Sequence, residues 1–191
     1  MAVPQIPAPG RFFVGVLACD AAAARLARSA LAALWGEPVL DWGPEPFDAT
    51  RYYEEECGPH PLRAFHAFPE PMPLDLLAAR KLRTNRLEIE LAQTLAGPWP
   101  RPVNLDPGYV TRAQLTLASA KNFSHRIYLA SGIFAEVTRL WRHGDFVNLP
   151  WTFPDYASGR YDDFFRALRA QAPAAGRASG AGRGVPGTDR G

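Results

Sequence analysis

The segment Arg11–Cys19 (RFFVGVLAC) carries no charged or strongly polar side chain after its arginine. A continuous apolar run of this length suits a buried strand. Asp20 follows as an N-cap, and Ala21–Trp35 is rich in the helix formers Ala, Leu and Arg, with Gly36 placed to end the helix. Glu37–Phe47 holds a short second strand in PVLDW, broken by Gly43, Pro44 and Pro46. Thr50–Gly58 reads as a helical turn, and Leu62–Phe68 alternates as a strand does. Pro73–Ala96 is the longest helix, opened by Pro73 and closed by Gly97.

The second half is strand-rich. Arg101–Asp106 is expected to stop at a type II turn, Asp106-Pro107-Gly108-Tyr109. Gln114–Ala118, His125–Ala130, Phe134–Arg142 and Phe146–Leu149 are further strands, and His143-Gly144-Asp145 is a hairpin signal. Asp162–Ala170 is a last short helix. The order β-α-β-β-α-β followed by antiparallel strands predicts an α+β fold. Its expected form is a two-layer mixed sheet of split β-α-β type, helices on one face, extended by hairpins. A doubly wound α/β sheet is the alternative.

With 47% apolar and 21% charged positions in 191 residues, one core of ordinary size is expected, a single domain over residues 1–170. Residues 171–191 are rich in Gly, Ala, Pro and Arg and lack apolar periodicity, so a disordered tail is expected there. That tail carries the net charge of +2, through Arg177, Arg183 and Arg190 against Asp189. The body is neutral, which argues against nucleic acid and anionic membranes as partners. Cys19 and Cys57 are too few for a disulfide framework and lack metal spacing. The first ten residues carry no signal-peptide pattern and no apolar run is long enough to span a bilayer, so a cytoplasmic location is expected. GxxxxGK[ST], HExxH, GxSxG and CxxC are all missing, which disfavours the chemistries those motifs serve.

Polar residues on core-directed positions point to a site. In the long helix Leu74, Leu77, Ala78, Leu82, Ile89, Leu95 and Ala96 define an apolar arc, and Lys81, Asn85 and Glu88 fall inside it at i, i+4, i+7. Buried ion pairs seldom repay their desolvation, so stability alone is a poor reason to keep such a trio. Lys81 and Lys121 are the only lysines among 21 basic side chains; the rest are arginine. A place that needs a compact ammonium resists replacement by arginine. Asn104 and Asp106 share one side of their strand, opposite Val103 and Leu105. In Lys121–Tyr128, His125 shares a face with Ile127 and Leu129. Asp, Lys and His together are suited to acid–base work or to holding a phosphate. Asp106, Lys121 and His125 are therefore the expected catalytic group, with Lys81, Asn85, Glu88 and Asn104 binding the ligand. No metal site is expected, and the residues specify no cofactor.

The segments TRYYEEECG (50–58), KLRTNRLE (81–88), the long block 103–138 beginning VNLDPGYV, and PWTFPDY (150–156) resemble a prokaryotic family, domain of unknown function 4416. Cys57 stands where that family is expected to carry Met. The resemblance implies a compact bacterial or archaeal protein of this length and no particular reaction. Some members carry a GTP-binding label, although this chain has no phosphate loop. The expected function is an enzyme or binder for a small anionic molecule such as a nucleotide or phosphorylated metabolite. The alternative is a non-catalytic interaction protein that presents Trp151–Tyr156 with Tyr52 and Tyr53.

Overall fold

The apolar run forms strand β1 (Gly10–Ala18), buried along its whole length. In the computed structural model, which describes residues 3–174, β1 lies between β3 (Leu62–Met72) and β4 (Val103–Val110). Strand β2 (Leu40–Pro46) lies outside β3, giving the order β2-β3-β1-β4. Helix α1 (Ala21–Trp35) joins β1 to β2, and α3 (Leu77–Leu95) joins β3 to β4. This is the split β-α-β arrangement. Beyond β4 the sheet continues through β5 (Gln114–Ser119) and β7 (Ile133–Arg142). Strands β6 (Ile127–Ala130) and β8 (Asp145–Asn148) both pair with β7. Every ladder among the described residues is antiparallel, so the α+β class holds, the sheet is not mixed, and the doubly wound alternative is excluded.

Residue alternation explains why β1 is apolar throughout. Phe12, Val14, Val16 and Ala18 face one way and pack with Ala23, Ala27 and Leu31 of α1 and Leu77, Leu87 and Leu91 of α3. Phe13 points the other way, into a second cluster with Phe65 and Ala67 of β3 and Leu115 and Leu117 of β5. That cluster is covered by α5 (Asp162–Ala170) through Phe164, Phe165 and Leu168, with Tyr156 of α4 (Pro154–Ala157) and Tyr161 beside it. The expectation of helices on one face is thus corrected. β1 and β3 carry large apolar side chains on both faces, and each face has its own cover.

The local expectations hold at several ends. Asp20 caps α1, accepting from Ala23 N at 2.8 Å. His143 and Gly144 both have positive φ, as a two-residue hairpin turn requires. The short helix α2 (Glu54–Cys57) lies within the expected turn. Helix α3 follows a 3-10 turn at Leu74–Leu76 and ends with Ala96, rather than Gly97, in the left-handed conformation. Its buried face differs from the expected arc. Leu87 and Leu91 are buried, while Ile89 is 61% exposed. The expected disordered segment 171–191 lies outside the described residues from 175 onward; Ala172 before it is buried.

The expected turn at Asp106–Tyr109 does not form. β4 runs straight through it, and the chain reverses at Thr111–Gln114, where Thr111 N donates to Gln114 O at 2.9 Å. Pro107 and Gly108 serve other purposes. A Cβ on Gly108 would lie 2.6 Å from Thr116 O and 2.7 Å from Phe13 Cζ, so only glycine lets β5 and the Phe13 ring approach. Gly108→Ala is expected to destabilise the protein by about 1–3 kcal/mol through overpacking. Urea unfolding of the two proteins measures the difference.

Candidate functional site

The site originates where β4 and β5 part. Their ladder comprises Gly108↔Leu117, Tyr109↔Thr116 and Val110↔Leu115 and goes no further. Backbone groups two residues apart on a strand point the same way. Leu105 directs its N–H and C=O away from β1, so residue 107 faces the β5 side as well. Pro107 has no N–H to donate there, and the ladder stops at the residue that cannot continue it. Side chains of α3 then stand in for the missing strand. Leu105 N donates to Glu88 Oε1 at 2.7 Å, and Lys81 Nζ donates to Leu105 O at 2.7 Å.

The two bracketing residues also hold each other and their neighbours. Lys81 Nζ lies 3.2 Å from Asp106 Oδ1 and 3.9 Å from Glu88 Oε1. Glu88 Oε2 accepts from Arg101 at 2.7 and 2.9 Å. Asn104 Nδ2 donates to the other Asp106 oxygen at 2.6 Å. Burial pushes the Asp106 carboxyl up. The cations of Lys81 and Arg63 and the hydrogen bonds from Lys81 and Asn104 outweigh it, and the group titrates below its ordinary value. At Glu88 burial prevails over the cations of Lys81 and Arg101, and its carboxyl titrates above its ordinary value.

A cavity of about 580 Å³ opens from this split. Asn104 and Asp106 of β4 and Arg63 of β3 face it, and Lys81, Asn85 and Glu88 enter from α3 on the other side of the parted strands. The end of β5 contributes Ser119, and the β5–β6 loop Lys121, Phe123 and Arg126. Aromatic walls come from Phe47, Tyr52 and Tyr53 on one side and from Phe153 and Tyr156 on the other.

Six of the seven expected site residues therefore meet in one place: Lys81, Asn85, Glu88, Asn104, Asp106 and Lys121. His125 is not on the cavity wall. Its Nε2 lies 3.0 Å from Oε2 of the buried Glu136, and its ring stacks between Phe123 and Trp151. Strand alternation does not reach His125, because the strand starts only at Ile127, and Ile127 and Leu129 are themselves exposed. Lys81 is committed to Leu105 O and Asp106. Lys121 instead reaches across the cavity mouth to the Tyr52 hydroxyl at 2.6 Å.

Sequence reasoning missed several buried residues of the candidate site. Arg63, 4% exposed, pairs with buried Asp155 at 3.2 Å. Tyr156 is buried. Glu136, 1% exposed, accepts from Arg126 Nε at 2.8 Å, and Arg126 in turn clips the loop through Ser119 Oγ at 2.7 Å and Lys121 O at 2.9 Å. For Arg63 a signal existed: strand alternation puts it on the same face as Phe65 and Ala67, where an arginine needs a reason. Among the described residues no group of three or more His, Cys, Asp or Glu side chains is arranged to hold a metal ion, and no helix is long and apolar enough to cross a membrane.

The family model described as "Domain of unknown function (DUF4416)" matches residues 8–171, most of the chain. The chain belongs to the DUF4416 family. No curated protein and no solved structure matches it. The four segments that resemble the family supply most of the cavity wall in this DUF4416 chain. Tyr52 and Tyr53 come from the first, Lys81, Asn85 and Glu88 from the second, Asn104 through Glu136 from the third, and Phe153, Asp155 and Tyr156 from the last.

Two outcomes test the bracket. Lys81→Met leaves Leu105 O, Asp106 and Glu88 without their ammonium partner, and removing one member of a buried pair is expected to cost about 3–5 kcal/mol in denaturant unfolding. Asp106 titrates below its ordinary value in the folded protein. Its stabilising contribution is therefore complete above the ordinary value of 3.8 and lost as pH falls through the depressed one. Asp106→Asn should cost most at neutral pH, with the gap to wild type closing only in strong acid. Glu88 acts in the opposite sense, costing stability as pH rises past its ordinary range. Urea titrations of both proteins from pH 7 downward check the sign.

Proposed function

We propose that this chain binds a small anionic molecule in the β4/β5 cavity, a nucleotide or phosphorylated metabolite held without a phosphate loop, and that Asp106 is positioned for proton transfer there. The observation that carries the reading is the pairing of charges on the wall. Arg63 has Asp155, Lys81 has Asp106, Arg101 has Glu88 and Arg126 has Glu136. Among the described residues, Lys121 has only a phenol hydroxyl and the face of the same ring, 4.6 Å from its ammonium. A neutral phenol is a weak partner for an ammonium, and an anionic oxygen is a stronger one.

Residue roles follow from position. Lys121 at the mouth meets the anion, and the Arg126 clip holds its loop. Lys81 and Asn104 fix the two oxygens of Asp106 and keep it ionised. Asn85 and Glu88 border the ligand from α3. His125 reaches the cavity only through Glu136, so its role is to position that carboxylate. The aromatic walls suit a planar or apolar part of the ligand. The interaction-protein reading has less support. Tyr156 belongs to the core; Tyr52, Trp151 and Phe153 are exposed, but Tyr52, Tyr53 and Phe153 border the cavity.

A thermal-shift panel of nucleotides and phosphorylated metabolites tests the proposal. A compound at about 100 times its Kd stabilises the folded chain by about 2.7 kcal/mol. For a domain of this size that raises Tm by roughly 5–10 °C. Lys121→Ala is expected to abolish most of the shift. Lys121→Arg should also reduce it, because the planar fork does not reproduce a compact ammonium. No shift with any compound, or a full shift in both variants, rules out the reading.

A further inference from the structure

Three donor atoms without acceptors belong to two buried residues of the cavity wall, Arg63 of β3 and Tyr156 of α4, which form its inner end. Arg63 Nε and Nη1 and the Tyr156 hydroxyl are buried and have no hydrogen-bond partner among the described residues. Both residues line the cavity, at 4% and 3% exposure. The Arg63 guanidinium lies over the Phe47 ring at 4.8 Å, which attracts its charge and offers no lone pair in the plane of its N–H bonds. Burial holds the Tyr156 phenol well above its ordinary value, so it remains a donor. Buried donors left unmade are costly and uncommon. Turning the Tyr156 hydroxyl further into the cavity breaks no hydrogen bond, while Arg63 stays tied to Asp155 through Nη2.

Charge at this inner end is already balanced. Arg63 is matched by Asp155 and Lys81 by Asp106. A second full negative charge would meet two carboxylates whose cations are engaged. A carbonyl-type oxygen accepts two hydrogen bonds and brings no charge. We propose that Arg63 and Tyr156 form a donor subsite for a neutral oxygen acceptor of the ligand, an amide, lactam or oxo-substituted ring whose anionic group sits at Lys121. This rests on the reading above and gives the ligand a polarity, carbonyl inward and anion at the mouth.

Crystals of the full chain soaked separately in N-methylacetamide and in inorganic phosphate test it, together with Tyr156→Phe. The amide oxygen is expected within hydrogen-bond distance of the Tyr156 hydroxyl and Arg63, and phosphate at Lys121. Tyr156→Phe should melt at or above the wild-type temperature, since it removes an unpartnered hydroxyl, and should lose the bound amide. A lower melting temperature would show that the hydroxyl has a partner in the folded chain and overturn the subsite. So would an amide retained in Tyr156→Phe, or phosphate at the inner end. Phosphate at Lys121 with no amide inside leaves the anion reading standing and removes this one. Amide inside with no phosphate at Lys121 removes the anion reading, and with it the proposed polarity.

Discussion

The hydrogen bonds from Lys81 and Glu88 to the backbone of Leu105 are the interaction on which the rest of the site depends. A strand that loses its neighbour exposes N–H and C=O groups, and buried groups of that kind need partners. Here the partners are two side chains on one face of α3, two turns apart, reaching to a single residue of β4. Because the helix satisfies the open edge, β5 is free to diverge after Gly108, and the space between the strands becomes a cavity. The same device recurs on β7. Between its pairings with β6 and β8, Val137 O accepts from Trp151 Nε1 at 2.9 Å and Thr138 O from Thr152 Oγ1 at 2.6 Å.

The ionic groups gathered at the bracket are best understood through this geometry. An isolated buried ion pair returns little beyond its desolvation cost. Lys81 and Glu88 do more than pair with each other, since each also satisfies a main-chain group that would otherwise be orphaned. Lys81 carries the effect onward to Asp106, whose carboxyl it helps keep ionised against burial. The residues that hold the open edge are thus also residues of the cavity wall, and the cavity owes its polar lining to the manner in which the sheet is opened.

Much of this was legible in the sequence because it is local. The spacing of Lys81, Asn85 and Glu88 on one helix and of Asn104 and Asp106 on one strand follows from periodicity alone, and all five reach the cavity. The Asp20 cap, the His143-Gly144 turn and the last helix are local as well. Pro107-Gly108 misled because two different demands imitate a turn. Proline ends one ladder, and glycine admits a close neighbour. Neither demand is visible until β5 and Phe13 are in place. Arg63 and Asp155, or Glu136 and Arg126, are partners only through the sheet's register and loop closure, so neither pair showed in the spacing. His125 was misplaced for a related reason, since strand alternation was extended past the point where the strand begins.

The position of β1 sets the order in which this chain can fold. Its two neighbours are β3 and β4, and Ala18 pairs with Val103 across most of the first half of the protein. Contacts so distant along the chain slow folding, because a long loop must close before they form. On a ribosome adding about 5–20 residues per second, the first strand waits several seconds or more for its second partner. Throughout that interval the most apolar segment of the protein has at least one bare edge. The residues that make β1 the centre of the finished sheet also make it the segment most in need of protection during synthesis.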